Sequence, residues 1–388
     1  MIIQSLLDTD LYKFTMMQLA LHRFPSAQAE YRFVCRSEGV DLRPWAHAIH
    51  SEIEQLAALR LTEAEDGYLS NLPYFDADFL RHLAQFRFDP RQISVRPGAE
   101  QLEITVRGPW HAAILYEVPL LAIVNETYFS AQETVPDYAA ALMRLGYKAE
   151  LMEDAGPGFA VTEFGTRRRY SRRWHEELLA GFRRLAPNAL VATSNVDLAR
   201  RLGLRPSGTM AHEFFQACQV LAPSLERAQV FALETWLEEY GDMLGIALSD
   251  TYGLDAFLAD FNGDLARAYA GVRQDSGDPF EWTERMLAHY QRLGIDAREK
   301  TLMYSDSLTV PRALEIFNRY RGRARLGFGI GTNLTNDMGI GALDIVIKMT
   351  HLNGRAVAKL SDDPGKAMSP DPAYLGTLRE LYRNKVAV

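Results

Sequence analysis

From residue 121 onward the chain repeats one rhythm, and that rhythm narrows the folds open to it. A short apolar run ends in small polar residues and then gives way to helical spacing. Residues 189–192 run into Thr193-Ser194-Asn195, and 244–248 into Ser249-Asp250-Thr251 ahead of a helical stretch over 254–269. Residues 301–303 run into Tyr304-Ser305-Asp306-Ser307 with a helix after Pro311, and 325–328 into Gly329-Ile330-Gly331-Thr332-Asn333. Strands that alternate with helices imply a parallel sheet. The expected class is α/β, an irregular (β/α) barrel. In such folds ligand groups collect at the carboxyl ends of strands, where loops and helix N-termini gather.

The first 120 residues read differently. Residues 10–22 suit a helix behind an Asp-Thr-Asp cap cluster, 29–35 alternate like a strand, and 44–59 and 76–86 have helical spacing. Strands over 92–96 and 101–108 join across Pro97-Gly98. This predicts an N-terminal α+β domain over 1–120, an α/β barrel catalytic domain over 121–350, and a segment over 351–388 that packs back on both. That segment follows a hairpin over 345–360 turning at Asn353-Gly354 and reads as a Pro/Gly-rich exit. At 388 residues the chain has room for two or three units at roughly 150 residues each.

Bulk composition removes several classes. A formal charge of −8 argues against a dedicated nucleic-acid surface, which relies on a basic face. Cys35 and Cys218 are the only cysteines and fall in no CxxC or Cys/His cluster, so neither a disulfide framework nor a structural zinc site is expected. Residues 112–124 are apolar but short, and are interrupted by Glu117 and Pro119; a membrane span needs about 20 apolar residues. A cytoplasmic protein with no membrane partner is expected.

Four segments could carry chemistry. Residues 271–279 pack Arg273, Asp275, Ser276 and Asp278 between Gly271 and Pro279. Arginine offers a fork matched to phosphate oxygens, and carboxylates accept sugar hydroxyls or hold a hard cation. A solvated Asp/Gly turn would look the same. Residues 327–333 offer glycine N–H groups and a hydroxyl to an anion, without a Walker lysine or a full dinucleotide fingerprint; a tight βα turn also explains them. Three successive arginines, 167–169, point about 100° apart on a helix and cannot all face one ligand. His212 falls away from the apolar face formed by Ala211, Phe214, Phe215 and Cys218, which leaves a base, a nucleophile or an exposed bystander.

Together these segments resemble the nicotinate phosphoribosyltransferases over nearly the whole chain. The matching stretches are LLDTDLYKFTM from Leu6, EFGTRRRYS from Glu163, ATSNVDLARRLGL from Ala192, GTMAHEF from Gly208, WLEEY from Trp236 and GIALSDT from Gly245. RQDSGDP from Arg273, YSDSLT from Tyr304, FGIGTNLTND from Phe328 and AKLSDDPGK from Ala358 complete the set. The resemblance implies a type II phosphoribosyltransferase fold that joins nicotinate to phosphoribosyl pyrophosphate, giving nicotinate mononucleotide and pyrophosphate. It implies coupling to ATP hydrolysis, a Mg2+ requirement, and a homodimer with its active site at the subunit interface. By the same resemblance His212 is the phosphorylated histidine, Arg273 an anion contact near the substrate phosphates, and Asp275 a ribose-hydroxyl acceptor. Tyr12, from the neighbouring subunit, and Phe164 sandwich the pyridine ring. Arg167 contacts an anion, and which of the three arginines holds the nicotinate carboxylate is left open. Asp250 lies near metal and pyrophosphate, while Ser305, Gly331 and Thr332 cradle the 5′-phosphate. Asn195 stands where nicotinamide-using relatives carry Asp, so a neutral amide there favours nicotinate.

Overall fold

The computed structural model describes residues 1–133 and 136–386. The chain forms two compact units. The first comprises Met1–Pro157, Val161–Gly208 and Ile330–Lys348; the second comprises Gly158–Ala160, Thr209–Gly329 and the chain from Met349.

In the first unit, β1 (Gln28–Cys35), β2 (Ile93–Pro97) and β3 (Leu102–Pro109) form an antiparallel sheet with β3 between the other two. Tyr31 pairs with Val106, and Val95 with Ile104. Leu102, Ile104 and Val106 alternate inward along β3, the period that a half-buried strand requires. The helix Leu11–Arg23 begins one residue past Asp10, close to the expected start. The expected helix over 44–59 is a ten-residue α-helix, Ala46–Gln55, flanked by 3-10 turns. The run Trp110–Ser130 is long and apolar enough to cross a membrane, yet 83% of its window is buried inside the protein. It is a core helix, and Pro119 sits in the first turn of its Glu117–Ser130 portion, where a missing N–H breaks no helical bond.

The same unit holds the parallel strands β4 (Val161–Glu163), β5 (Leu190–Thr193) and β6 (Arg205–Pro206), in the order β6-β5-β4. Helix Arg172–Leu185 links β4 to β5. Val196–Leu202 links β5 to β6 and ends on Gly203 at φ 62°, a left-handed C-cap.

The second unit carries β7 (Ile246–Leu248), β8 (Gly271–Gln274), β9 (Thr301–Tyr304) and β10 (Arg325–Ile330), parallel and in the order β10-β9-β8-β7. The helical stretch expected over 254–269 is two helices, Leu254–Asp260 and Gly263–Ala268. The break follows from Asn262, whose side-chain oxygen accepts the Asp264 and Leu265 N–H groups and starts a new helix. The expected hairpin is β11 (Ile345–Leu352) with β12 (Arg355–Ala356), turning through Asn353 and Gly354 at φ 50° and 74°. The tail is not a Pro/Gly-rich exit. Pro372–Val386 is a helix that buries Leu378 and Tyr382, and the Tyr382 ring stacks on Tyr252 with centroids 4.2 Å apart.

The α/β class is therefore the observed one, with barrel-type parallel strand–helix units and an N-terminal α+β part built on an antiparallel sheet.

Candidate active site

The expected residues gather in two clusters, one in each unit. In the second unit, His212 opens the helix His212–Leu221 and is only 8% exposed. At this first helical position His212 is enclosed by polar groups rather than left at the surface. Its Nε2 lies 2.8 Å from Asp250 Oδ1, just past the end of β7, and 2.8 Å from Lys359 Nζ. Asp250 Oδ2 accepts the Ser276 hydroxyl at 2.7 Å and the Lys359 ammonium at 2.9 Å. One ring nitrogen cannot donate to Asp250 and accept from Lys359 at once. With Nε2 protonated and donating to Asp250, the lone pair falls on Nδ1, which faces Asp275 Oδ2 at 3.7 Å.

The electrostatics agree with a neutral ring. Burial pulls the His212 pKa down to about 4; Lys359 adds to this and Asp250 opposes it. For Asp250, burial pushes upward but is outweighed by His212, Lys359 and Ser276, which hold the carboxyl well below its usual range. The cation of the cluster is thus Lys359, not the imidazole.

Arg273 and Asp275 lie at and just beyond the end of β8. Arg273 donates through Nη2 to the Met210 carbonyl at 3.3 Å, while its Nε is buried without a hydrogen-bond partner among the described residues. A buried donor left open in this way is what an arriving anion would satisfy. Ser305 lies within donating distance of Asp275 Oδ1 and the Gln274 carbonyl, at 2.8 and 3.0 Å.

In the first unit, the three arginines part company. Thr166–Arg168 is a 3-10 turn, and each guanidinium leaves it in its own direction. Arg169 is fully buried and forks onto Asp8 at 2.6 and 2.9 Å. Arg168 reaches Asp344 at 2.9 Å and the Ile345 carbonyl at 3.1 Å. Arg167 contacts Glu117 at 3.2 Å, stands 4.0 Å from Asp10, and keeps 39% of its side chain exposed. Glu117 also pairs with Lys13 at 2.5 Å.

Tyr12 lies in the field of Arg167, and burial drives its phenol far above its usual range. Phe164 is half-buried, with its N–H donating to the Ile330 carbonyl at 2.9 Å. Asn195 is buried; its oxygen caps the helix after β5 by accepting Leu198 N–H at 2.9 Å, and its Nδ2 donates to Asp8 at 2.8 Å. A Cβ on Gly331 would stand 3.0 Å from the Phe164 carbonyl, and Thr332 begins the short helix Thr332–Thr335.

A groove of about 350 Å³ on the antiparallel sheet, lined by Arg32, Arg96 and Arg107 among others, contains none of these residues.

Two family models match the chain. Residues 7–125 match the nicotinate phosphoribosyltransferase (NAPRTase) N-terminal domain, and residues 159–386 match the nicotinate phosphoribosyltransferase (NAPRTase) family. The chain belongs to the nicotinate phosphoribosyltransferase family. It is 53% identical to the nicotinate phosphoribosyltransferase of Cupriavidus necator, covering 98% of each chain, and 51% identical to that of Ralstonia nicotianae over 98% of this chain and 99% of the relative. The crystal structure of the nicotinate phosphoribosyltransferase from Porphyromonas gingivalis superposes with a TM-score of 0.94 at 35% identity, covering all of both chains. That from Vibrio cholerae gives 0.95 at 40% identity, covering 99% of this chain and 94% of the other.

Several residues of this nicotinate phosphoribosyltransferase site escaped the sequence reading. Lys359, Ser276 and Glu117 carry much of the geometry without having been given a role, and Asp8, expected in a helix cap, instead accepts the Arg169 fork. Lys359 is held by a strap: Gln219 accepts Ala358 N–H at 2.9 Å and donates to its carbonyl at 2.6 Å, and Leu360 N–H donates to Thr251 at 2.9 Å. The available signal was a lysine inside an apolar run, AVAKL, within a matching stretch.

Proposed function

We propose that this chain is an ATP-coupled, ligase-type nicotinate phosphoribosyltransferase of the cytoplasm, forming nicotinate mononucleotide and pyrophosphate for NAD salvage. The observation that carries the coupling is the buried His212 with Asp250 Oδ1 2.8 Å from its Nε2, a contact that leaves Nδ1 for attack in the tautomer whose proton sits on Nε2. In this reading Nδ1 attacks the γ-phosphorus of ATP, the bridging oxygen bond breaks, and ADP leaves. The ring becomes cationic while keeping its Nε2 proton, and Asp250 stabilises that charge. A phosphoryl group adds roughly −1.5 to −2 charges in related side chains. Lys359, 2.8 Å from Nε2, and Arg273, whose charge acts on the neighbouring Asp275, would respond, which ties phosphorylation to the affinity for phosphoribosyl pyrophosphate. Release of nucleotide product would then accompany hydrolysis of the phosphohistidine to phosphate.

At the sugar, Asp275 accepts a ribose hydroxyl and Arg273 takes a phosphate through its open Nε. Gly331 and Thr332 in the first unit, and Ser305 in the second, are each proposed as phosphate contacts. Tyr12 and Phe164 are assigned the faces of the base, with Tyr12 supplied across a homodimer. Exposed Tyr138, Leu142, Met143 and Tyr147 on the helix Tyr138–Asp154 suit a protein partner of some kind. Arg167 is assigned the nicotinate carboxylate because its side chain, though paired with Glu117, is the most exposed of the three. Asn195 acts at one remove, since its oxygen caps a helix and its nitrogen holds Asp8.

Mg2+ prefers carboxylate oxygens and keeps waters. His212, Asp250 and Asp275 bring their ligand atoms within 4.8 Å of one another. Asp250 is a poor fit, because Ser276 and Lys359 cover one of its oxygens and His212 the other. Asp275, with 29% of its side chain exposed, is the residue that would hold Mg2+ arriving with the phosphates, where the ion would screen their charge.

The deciding experiment is incubation with γ-labelled ATP. An acid-labile, base-stable label should map to His212, and His212→Asn should lose the label while retaining slow ATP-independent transfer. Unaltered ATP coupling in that variant refutes the phosphohistidine.

A further inference from the structure

Glu163 ends β4, is fully buried, and has no part in the roles assigned above. A carboxylate removed from water persists only where partners offset its lost hydration. Its Oε1 accepts the Gly165 N–H. Its Oε2 accepts the Thr193 hydroxyl at 2.6 Å and lies 2.8 Å from Nε2 of His175, itself fully buried on the helix Arg172–Leu185. The Glu163 backbone carbonyl accepts Ser194 N–H at 2.8 Å, and the Thr193 hydroxyl oxygen accepts Asn195 N–H at 3.1 Å. Burial pushes the Glu163 carboxyl upward, but His175, Thr193 and Gly165 outweigh it and keep the group below its usual value.

One side chain therefore joins two loops. The first, 164–168, carries Phe164 and Arg167; the second is 193–195. The junction has little room to give, since a Cβ on Gly165 would fall 2.1 Å from Thr335 Oγ1. We propose that Glu163 is a positioning residue for base recognition, holding the Gly165 amide against Thr193 and so setting how Phe164 and Arg167 meet the pyridine ring and its carboxylate. This rests on the assignment of Phe164 and Arg167 to the base.

The test is Glu163→Gln in the full-length protein. Its amide cannot accept from both Gly165 and Thr193 as the carboxylate does. The KM for nicotinate should rise about tenfold, and the kcat/KM preference for nicotinate over nicotinamide should fall about as far. The KM for phosphoribosyl pyrophosphate and the labelling by ATP should stay within about twofold. Thr193→Val removes the bond to Glu163 together with the one from Asn195 N–H, leaves the Glu163–His175 pair in place, and should shift the nicotinate KM in the same direction. It decides the matter by the same readings if Glu163→Gln does not fold. An unchanged nicotinate KM in a folded variant, or equal changes for both substrates, overturns the proposal. Phe164→Ala separates this from the underlying reading. If that variant also keeps its nicotinate KM, the base assignment is what fails; if its KM rises while that of Glu163→Gln does not, only the role of Glu163 falls.

Discussion

At the scale of single residues, sequence reasoning succeeded where geometry is local and failed where partners are remote. Three successive arginines had to diverge, and they do. That Arg169 would fork onto Asp8, 161 positions away, or that Lys359 would reach back 147 positions to His212, lies outside any local pattern. The Lys359 contact has a measurable consequence. Its charge is one of the causes that hold the His212 pKa down near 4, second to burial. Lys359→Met should raise that pKa, because one of the groups opposing the upward pull of Asp250 is then gone and burial remains against it. The acid limb of phosphohistidine formation should move to higher pH, and the imidazole resonances followed by NMR should titrate later on acidification no longer, but earlier. An unmoved limb would mean that Lys359 does not share the field of the ring. Gly165 makes a second case: a methyl group there would meet Thr335 Oγ1 at 2.1 Å and Cγ2 at 2.4 Å. Gly165→Ala should lower the melting temperature, at a cost of about 1–3 kcal/mol for overpacking. Thr335→Ala in the same chain should recover part of it, while no recovery would place the strain elsewhere.

At the scale of elements, the strand–turn–helix rhythm was legible because a parallel strand buried on both faces must be apolar, and its C-terminal turn must be polar. The ends β5, β7, β9 and β10 fall within two residues of where that pattern places them. The tail was not legible. Pro372, Gly376 and a run of charges obscured the helix Pro372–Val386, whose inward face is little more than Leu378 and Tyr382. Tertiary packing decides such a helix, not propensity. Its anchor is the stack of Tyr382 on Tyr252, centroids 4.2 Å apart and planes 10° apart. Tyr382→Ala should therefore destabilise the second unit by about 3–5 kcal/mol, the range for truncating a buried aromatic. Faster hydrogen exchange over 372–386, ahead of the strands, should accompany it. Exchange that stays as slow as in the unaltered protein would show that the helix is held by other contacts.

At the scale of the whole molecule, acid should weaken this protein before ion-paired carboxylates such as Asp8 are protonated. His82 and His111 pack edge to face with centroids 5.2 Å apart in the first unit; burial lowers the pKa of each, and His82 lowers that of His111 further. In the second unit His289 is lowered first by burial, with Arg292 adding and the Phe261 carbonyl opposing. For a group whose folded pKa lies below its unfolded value of about 6.5, the unfolded chain binds more protons as pH falls. Stability contributed by the neutral ring is thus present above pH 6.5 and drains away as pH drops towards the folded pKa. Asp8, where burial pushes upward but Arg169, Asn195 and Arg172 together outweigh it and hold the group at about 2, works over a lower window, keeping its contribution until pH falls below the ordinary Asp value of 3.8. The melting temperature should be flat from pH 8 to 7, decline from pH 6.5 to 5, and fall again below 4. In His82→Leu/His111→Leu the first decline should be shallower, because removing both rings removes their share of the proton uptake on unfolding. A melting temperature that holds constant from pH 7 to 5 in the unaltered protein would mean that these rings titrate alike in the folded and unfolded chains, and that burial costs their charged forms nothing.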